Sequence, residues 1–474
     1  MKKKLEIYIH IPFCIRKCAY CDFLSFSMGR ETQEKYVEAL LCEIREAEIS
    51  AGDASAFVGN DRTSAGDAKW LVTSVFFGGG TPSVLPAEVI AELLQALRER
   101  FAFAADAEIS LEMNPGTADL QKLLLYRQAG VNRISIGCQS MQDKELRRLG
   151  RIHDHAAFTE CFRWAREAGF QNINIDLMSA LPGQSFADWE KNLRMAAMLG
   201  PEHISAYSLI IEEGTLFYRL YEQGKLELPE EEEERRMYAE TGRILQEYGY
   251  HQYEISNYAK EGYECRHNLG YWTGLDYIGF GLGSSSYINK MRFRNTEQME
   301  EYLSAYKPIQ AFAEADDAGL KKHTGLGKAE EKKLTGSDKA EENKLAGSYK
   351  TAEKNPAESD TAEGQPVKRY ANRGKTEACE QELRKAIRKD IEVLSQEDLQ
   401  SEFMILGLRL TRGVSGAEFA GRFGQSMMAV FGSVIEKYLQ LGLLYKIEEK
   451  EDFRIALTEK GFSLSNVVMS EMLL

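Results

Sequence analysis

Six short apolar runs alternate with stretches of helical period, and this alternation is what most restricts the fold. The runs are Leu5–His10, Val72–Phe77, Glu108–Glu112, Arg133–Ile136, Ile173–Leu177 and His203–Leu209, each closed by Gly, Pro or a polar cluster. Between them lie Thr32–Ile49, Pro86–Arg100, Ala118–Ala129, His155–Ala168 and Phe186–Leu199, with apolar residues at helical spacing. The second of these has an acidic first turn and a basic last turn, which complements a helix dipole. Strand-then-helix repetition specifies βαβ units and an α/β class with a parallel sheet. Six units fall short of a full eightfold barrel. The expectation is an open, partial (β/α)6 barrel of TIM type or a doubly wound sheet, with the chemistry at the C-terminal ends of the strands.

Two segments interrupt this pattern. Residues 51–69 are rich in Gly, Ala, Asp and Ser, and residues 321–375 carry an approximate 11-residue repeat, TGLGKAEEKKL then TGSDKAEENKL. With one Leu per period there is no stripe to bury, so the longer segment reads as a disordered linker. Beyond it, Gln396–Leu410, Gly416–Phe423 and Met428–Leu441 read as helices, followed by a hairpin of Leu444–Glu448 and Phe453–Leu457. Helices followed by a β-wing suggest a small winged-helix-like α+β domain over residues 394–474. The expected organisation is a barrel over 1–240, a covering segment over 241–310, the linker and this domain. Nucleic-acid binding is disfavoured, because the chain of 474 residues carries a formal charge of −14 and its C-terminal helices show no run of Lys or Arg. No apolar run is long enough to span a membrane and the N-terminus has no signal-peptide core, so a cytoplasmic location is expected. Eight cysteines in such a chain make no disulfide framework.

The cysteines matter through their spacing. Cys14, Cys18 and Cys21 follow the first strand as CxxxCxxC. Three thiols on one loop can converge on a metal centre. Zinc would want a fourth ligand, for which no local residue is convincing, whereas a [4Fe–4S] cluster accepts three and leaves one iron open to a small chelator. The second strand ends in Phe77-Gly78-Gly79-Gly80-Thr81-Pro82, a turn that is either purely conformational or a backbone cradle for a ligand. Glu112, Gln139 and Asp176 stand near the ends of the third, fourth and fifth strands, and Arg151 follows in Leu149-Gly-Arg-Ile-His. Polar groups repeated at successive strand ends line a common pocket more often than they serve as separate caps.

CxxxCxxC after a strand, with these companions, resembles the radical S-adenosylmethionine (SAM) superfamily. The segments Tyr8-Ile-His-Ile-Pro-Phe-Cys14, FGGGTPS, NPGT, RISIGCQS, LGRIH and IDLMSALPGQ further resemble the oxygen-independent coproporphyrinogen III oxidase-like family. The resemblance implies that Cys14, Cys18 and Cys21 ligate a [4Fe–4S] cluster. It implies that Tyr8, Gly79, Gly80, Thr81, Glu112, Gln139, Arg151 and Asp176 contact SAM. Within the family two branches compete. The dehydrogenase branch has a fourth cysteine where Phe23 stands, and a long N-terminal extension for which a first strand at residue 5 leaves no room. Its reaction would be radical oxidative decarboxylation of coproporphyrinogen III in porphyrin biosynthesis. The heme-chaperone branch carries His-Asn-x-x-Tyr-Trp, present here from His267 to Trp272. That resemblance implies heme as cargo with His267 as a ligand, heme-requiring recipients such as respiratory cytochromes, an electron donor and a homodimer. Read from residues alone, His267 is either a ligand or a loop or cap residue beside aromatic core. The chaperone branch is the expected one.

Overall fold

The computed structural model describes residues 2–47, 70–306 and 386–474. The 51–69 insert and the 321–375 linker expected from sequence lie outside them. Six parallel strands form the centre of one sheet in sequential order: β1 (Lys3–Ile11), β2 (Trp70–Gly79), β3 (Phe103–Met113), β4 (Arg133–Gln139), β5 (Ile173–Ser179) and β6 (His203–Ser208). Helices α1 (Arg30–Glu46), α2 (Ala87–Arg100), α3 (Leu120–Ala129), α4 (Asp143–Leu149), α5 (His155–Glu167) and α6 (Phe186–Met198) fall between them, α4 and α5 both in the β4–β5 connection. Short α4 was not foreseen. It spans only Asp143–Leu149, too few residues to show a period.

The alternation within β1 shows how the strands set the two faces. Leu5, Ile7, Ile9 and Ile11 are fully buried in the core beside Tyr36, Leu40 and Ile44 of α1. The intervening Glu6, Tyr8 and His10 therefore point to the opposite, barrel-interior face, because successive side chains alternate across a strand. Helix ends are set locally. Asp119, Asp154 and Ser185 cap the starts of α3, α5 and α6 through their side chains, and Gly130 closes α3 at φ 103°.

The sheet is larger than six strands and is not closed. After β6 the chain forms α7 (Leu216–Glu222) and α8 (Glu231–Gln246), and beyond β6 in the sheet lie β7 (His251–Gln252) and β8 (Asn257–Ala259), with β8 antiparallel to β6. Beyond β1 lie β9 (Tyr277–Phe280), parallel to it, then antiparallel β10 (Ser285–Ile288), β11 (Met291–Asn295) and β12 (Arg388–Val393), with α9 (Arg266–Thr273) before β9 and α10 (Met299–Ala305) after β11 in the chain. The segment expected to cover the barrel thus contributes strands to both of its edges. These strands of two to six residues escaped sequence reading because they lack the regular alternation with helices that marks the central six.

After β12 the chain enters a second core. Helices α11 (Gln396–Gly407), α12 (Gly416–Phe423) and α13 (Met427–Gln440) pack with an antiparallel sheet of β13 (Val414–Ser415), β15 (Phe453–Leu457) and β14 (Leu444–Glu448). Met404, Phe419, Phe431, Ile435 and Ile455 are buried at its centre. This is the expected helical segment with a β-wing. Its α11 begins with a Ser395–Asp398 capping box and is tied to β11 by Arg292–Glu402 at 2.6 Å.

Candidate functional site

The loop after β1 presents Cys14, Cys18 and Cys21 as free, half-buried thiols. Burial pushes the Cys21 thiol up, and the nearby Cys18 and Cys14 add to the effect, so the three share one electrostatic neighbourhood. They do not close to the distance a single ion needs. Among the described residues, the set of three ligand atoms within 4.8 Å of one another is His251, Glu261 and Glu264, elsewhere on the surface. A structural tetrahedral zinc would want a fourth ligand. Three thiols on one loop suit a polynuclear iron–sulfur cluster with one iron left open.

Hydrogen bonds fasten this loop to the strand ends. Thr81 Oγ1 lies 3.4 Å from Cys14 Sγ, and Asn114 Nδ2 donates to the same oxygen at 2.7 Å. Arg151 Nη2 donates to Asn114 Oδ1 at 2.5 Å and to the Gly137 carbonyl at 2.6 Å, while its Nη1 reaches Cys18 Sγ at 3.6 Å. Arg151 is thus no solvated helix end. Its buried Nε has no hydrogen-bond partner among the described residues. Asn114 is a site residue the sequence reading missed. It stood inside the quoted NPGT segment, but Asn before Pro-Gly reads first as turn chemistry.

The glycine turn is a close approach rather than only a bend. Gly79 has φ 111°, and a Cβ there would lie 2.6 Å from the His10 ring; one on Gly80 would lie 2.7 Å from the Phe13 carbonyl oxygen. No side chain can stand between the end of β2 and the cysteine loop, which leaves backbone facing any ligand there. Beside it, burial lifts the Glu112 carboxyl to about 8, with the Asp176 carboxylate adding and the Gly79 N–H opposing. Asp176 is also raised by burial and accepts from Asn174 at 2.7 Å and Ser135 at 3.2 Å. Tyr8 donates to His10 Nδ1 at 3.1 Å, since His10 Nε2 must give its proton to the Leu24 carbonyl at 2.9 Å. Gln139 sits at φ 69°, an uncommon backbone state for a residue with a side chain. Its Oε1 accepts from Tyr207 at 2.9 Å. Backbone strain of this kind at a strand end is characteristic of ligand sites. Tyr8, Gly79, Gly80, Thr81, Glu112, Gln139, Arg151 and Asp176 therefore converge around one end of the sheet.

The His-Asn-x-x-Tyr-Trp segment forms α9 (Arg266–Thr273). Glu108 on β3 holds its start, accepting the backbone N–H of Arg266 at 3.0 Å and of His267 at 3.4 Å. His267 is buried, with Nδ1 2.8 Å from Ser74 Oγ and Nε2 2.9 Å from the Tyr271 hydroxyl. It stacks on Phe76 at 5.2 Å, and burial with nearby Arg133 pushes its pKa down to about 3. Both ring nitrogens are engaged in this arrangement. Cys265, just before the helix, is buried against Glu108 at 3.4 Å. Tyr271 and Trp272 instead line a cavity of about 460 Å³ between α9 and the C-terminal helix α11, which Tyr8 and His10 reach from the other side.

With this geometry in place, relatives can be compared. Residues 8–196 match the Radical SAM superfamily and residues 394–464 the HemN C-terminal domain. The heme chaperone HemW of Bacillus subtilis is 31% identical over 467 residues, covering 98% of each chain. The chain belongs to the HemW family of radical SAM proteins. The HemW of Escherichia coli is 41% identical over 318 residues, covering 65% of this chain and 79% of its own. The structure of coproporphyrinogen III oxidase (HemN) from Escherichia coli aligns with a TM-score of 0.69 at 20% identity, covering 100% of this chain and 90% of that one. That likeness speaks for a shared fold. Among the described residues of this HemW-family chain, no helix is long and apolar enough to cross a membrane.

Proposed function

We propose that this chain is a heme chaperone, which binds heme and passes it to heme-requiring proteins such as respiratory cytochromes. The observation that carries the reading is full-length similarity to a HemW protein, together with a His-Asn-x-x-Tyr-Trp helix whose aromatic residues line a cavity. Phe23, 70% exposed on the cysteine loop, occupies the position of the fourth cysteine of the dehydrogenase pattern.

In this reading Cys14, Cys18 and Cys21 hold a [4Fe–4S] cluster. With SAM bound, the cluster supplies an open iron for the amino and carboxylate groups and an electron that can cleave the sulfonium. The protein's own groups position and shield. Arg151 and Thr81 direct hydrogen bonds at two of the sulfurs, the Gly79–Gly80 backbone and Glu112 face the amino acid end, and Gln139 and Asp176 face the ribose or adenine. For His267 to ligate heme iron, its Nε2 must first release the Tyr271 hydroxyl, so ligation and a Tyr271 side-chain movement go together. An electron donor and a homodimer belong to the same proposal, as do domain limits of 1–240, 241–310 and 394–474.

The test is anaerobic reconstitution of the cluster, followed by heme titration and, separately, incubation with SAM and coproporphyrinogen III. Stoichiometric heme binding that weakens in His267→Ala, without decarboxylation, supports the chaperone. Formation of protoporphyrinogen refutes it in favour of the dehydrogenase.

A further inference from the structure

The cavity between α9 and α11 has a chemistry the His-Asn-x-x-Tyr-Trp motif does not explain. Its walls are largely aromatic and aliphatic, with Trp272, Tyr277 and Tyr287 on the barrel side and Leu399, Phe403 and Leu406 on the C-terminal side. A volume of about 460 Å³ lies within the range of roughly 300–1,000 Å³ typical of sites for small molecules and cofactors. Yet four arginines line it against two carboxylates, Glu402 and Glu418. Arg292 is committed to Glu402 at 2.6 Å, and Arg454 to Glu449 at 2.9 Å. Arg412 and Arg422 are exposed, which places them where the cavity meets solvent, and neither has an ion-pair partner among the described residues.

Arg422 is held beside aromatic rings and feels the Asp276 carboxylate without forming an ion pair with it. The Arg422 guanidinium lies 6.0 Å from the Phe403 ring centre and 5.6 Å from that of Phe423. The loop carrying Arg412 is pinned to the barrel by its neighbour Thr411, whose N–H donates to the Tyr253 carbonyl at 3.1 Å and whose hydroxyl donates to the Gln252 carbonyl at 3.2 Å. An apolar slot with two exposed guanidinium groups at its mouth, neither in an ion pair among the described residues, suits one kind of occupant: a broad apolar ring system carrying carboxylates on one edge.

We propose that the cavity takes the porphyrin ring of the cargo, with its propionates at the mouth on Arg412 and Arg422. This rests on the heme reading above and adds to it a recognition of the carboxylate edge that does not depend on iron. A porphyrin whose propionates are esterified keeps the ring and loses the charge, so it isolates the claim.

The experiment uses the full chain and follows binding of heme, heme dimethyl ester and iron-free protoporphyrin IX by absorbance or fluorescence. The wild type is expected to bind heme about tenfold more tightly than its dimethyl ester, a preference that shrinks at high salt because the pairs are solvent-exposed. The Arg412→Gln/Arg422→Gln variant is expected to lose that preference, and to bind protoporphyrin IX about tenfold more weakly than wild type does. Arg163→Gln, on the outer surface of α5, is expected to change nothing. An unchanged melting curve of the double variant shows that folding is intact, and Arg→Lys at both positions is expected to restore part of the preference. Equal wild-type affinity for heme and its ester, or a preference that survives the double Gln variant, overturns the carboxylate anchor and leaves the chaperone reading standing. A wild-type chain that binds neither porphyrin overturns both.

Discussion

Gly270→Ala is the most direct probe of how α9 is seated. A Cβ on Gly270 would fall well inside 3.0 Å of the Glu6 carboxyl carbon and both of its oxygens. Glu6 is 1% exposed, its Oε2 has no hydrogen-bond partner among the described residues, and it already lies 3.9 Å from the buried His267 Nδ1. Restoring ordinary contact at 3.4 Å requires α9 to rise from β1 by more than an ångström or Glu6 to leave its rotamer. Overpacking of this kind costs about 1–3 kcal/mol. Alanine's helical preference over glycine returns about 1 kcal/mol. The net expectation is a loss of up to about 2 kcal/mol in denaturant unfolding, with weaker heme binding because Tyr271 and Trp272 move with the helix. If the overlap with Glu6 is the cause, Glu6→Ala must relieve it. The double-mutant cycle should then show a favourable coupling of at least about 1 kcal/mol. Gly270→Ala at or above wild-type stability, or strict additivity with Glu6→Ala, refutes the reasoning.

Other consequences are open to test. Cys14→Ala should abolish the [4Fe–4S] absorbance and Mössbauer signature after reconstitution, and retention of both would remove Cys14 from the ligand set. Asn114→Ala breaks the link between Arg151 and Thr81, and is expected to cost about 1–3 kcal/mol of stability by leaving buried groups unpaired, together with weaker SAM binding by calorimetry. Burial raises Glu6 to about 9 in the folded chain, so the native state holds a proton that the unfolded state sheds above about 4.5. Wild type should therefore lose stability relative to Glu6→Gln as pH rises from 5 to 9, by at most about 1.4 kcal/mol per pH unit, and parallel stability curves would contradict this.

Much of the scaffold was legible because its signals are local. Six apolar runs and their helical partners are written within windows of ten or so residues, and all six parallel strands lie where the pattern places them. The cysteine loop and the glycine turn were legible for the same reason, since a close backbone approach permits few residue types. What escaped was whatever depends on separation in sequence. Strands β7 to β12 are too short to announce themselves, and they exist because neighbouring edges offer unpaired backbone groups. Asn114 is a turn residue by sequence and the bridge between Arg151 and Thr81 only in space.

The His-Asn-x-x-Tyr-Trp segment draws the line most clearly. The residues by themselves put an imidazole and two aromatics within six positions of one another, and left open whether they lie in a loop or a helix. Tertiary structure decided which of them meets the cavity. Ser74 and Phe76 on β2 bury the imidazole, while Tyr271 and Trp272 face α11 and the exposed Arg412 and Arg422. A helix periodicity fixes which side chains share a face, but only the partners packed against that face decide which are sealed in and which are left to bind.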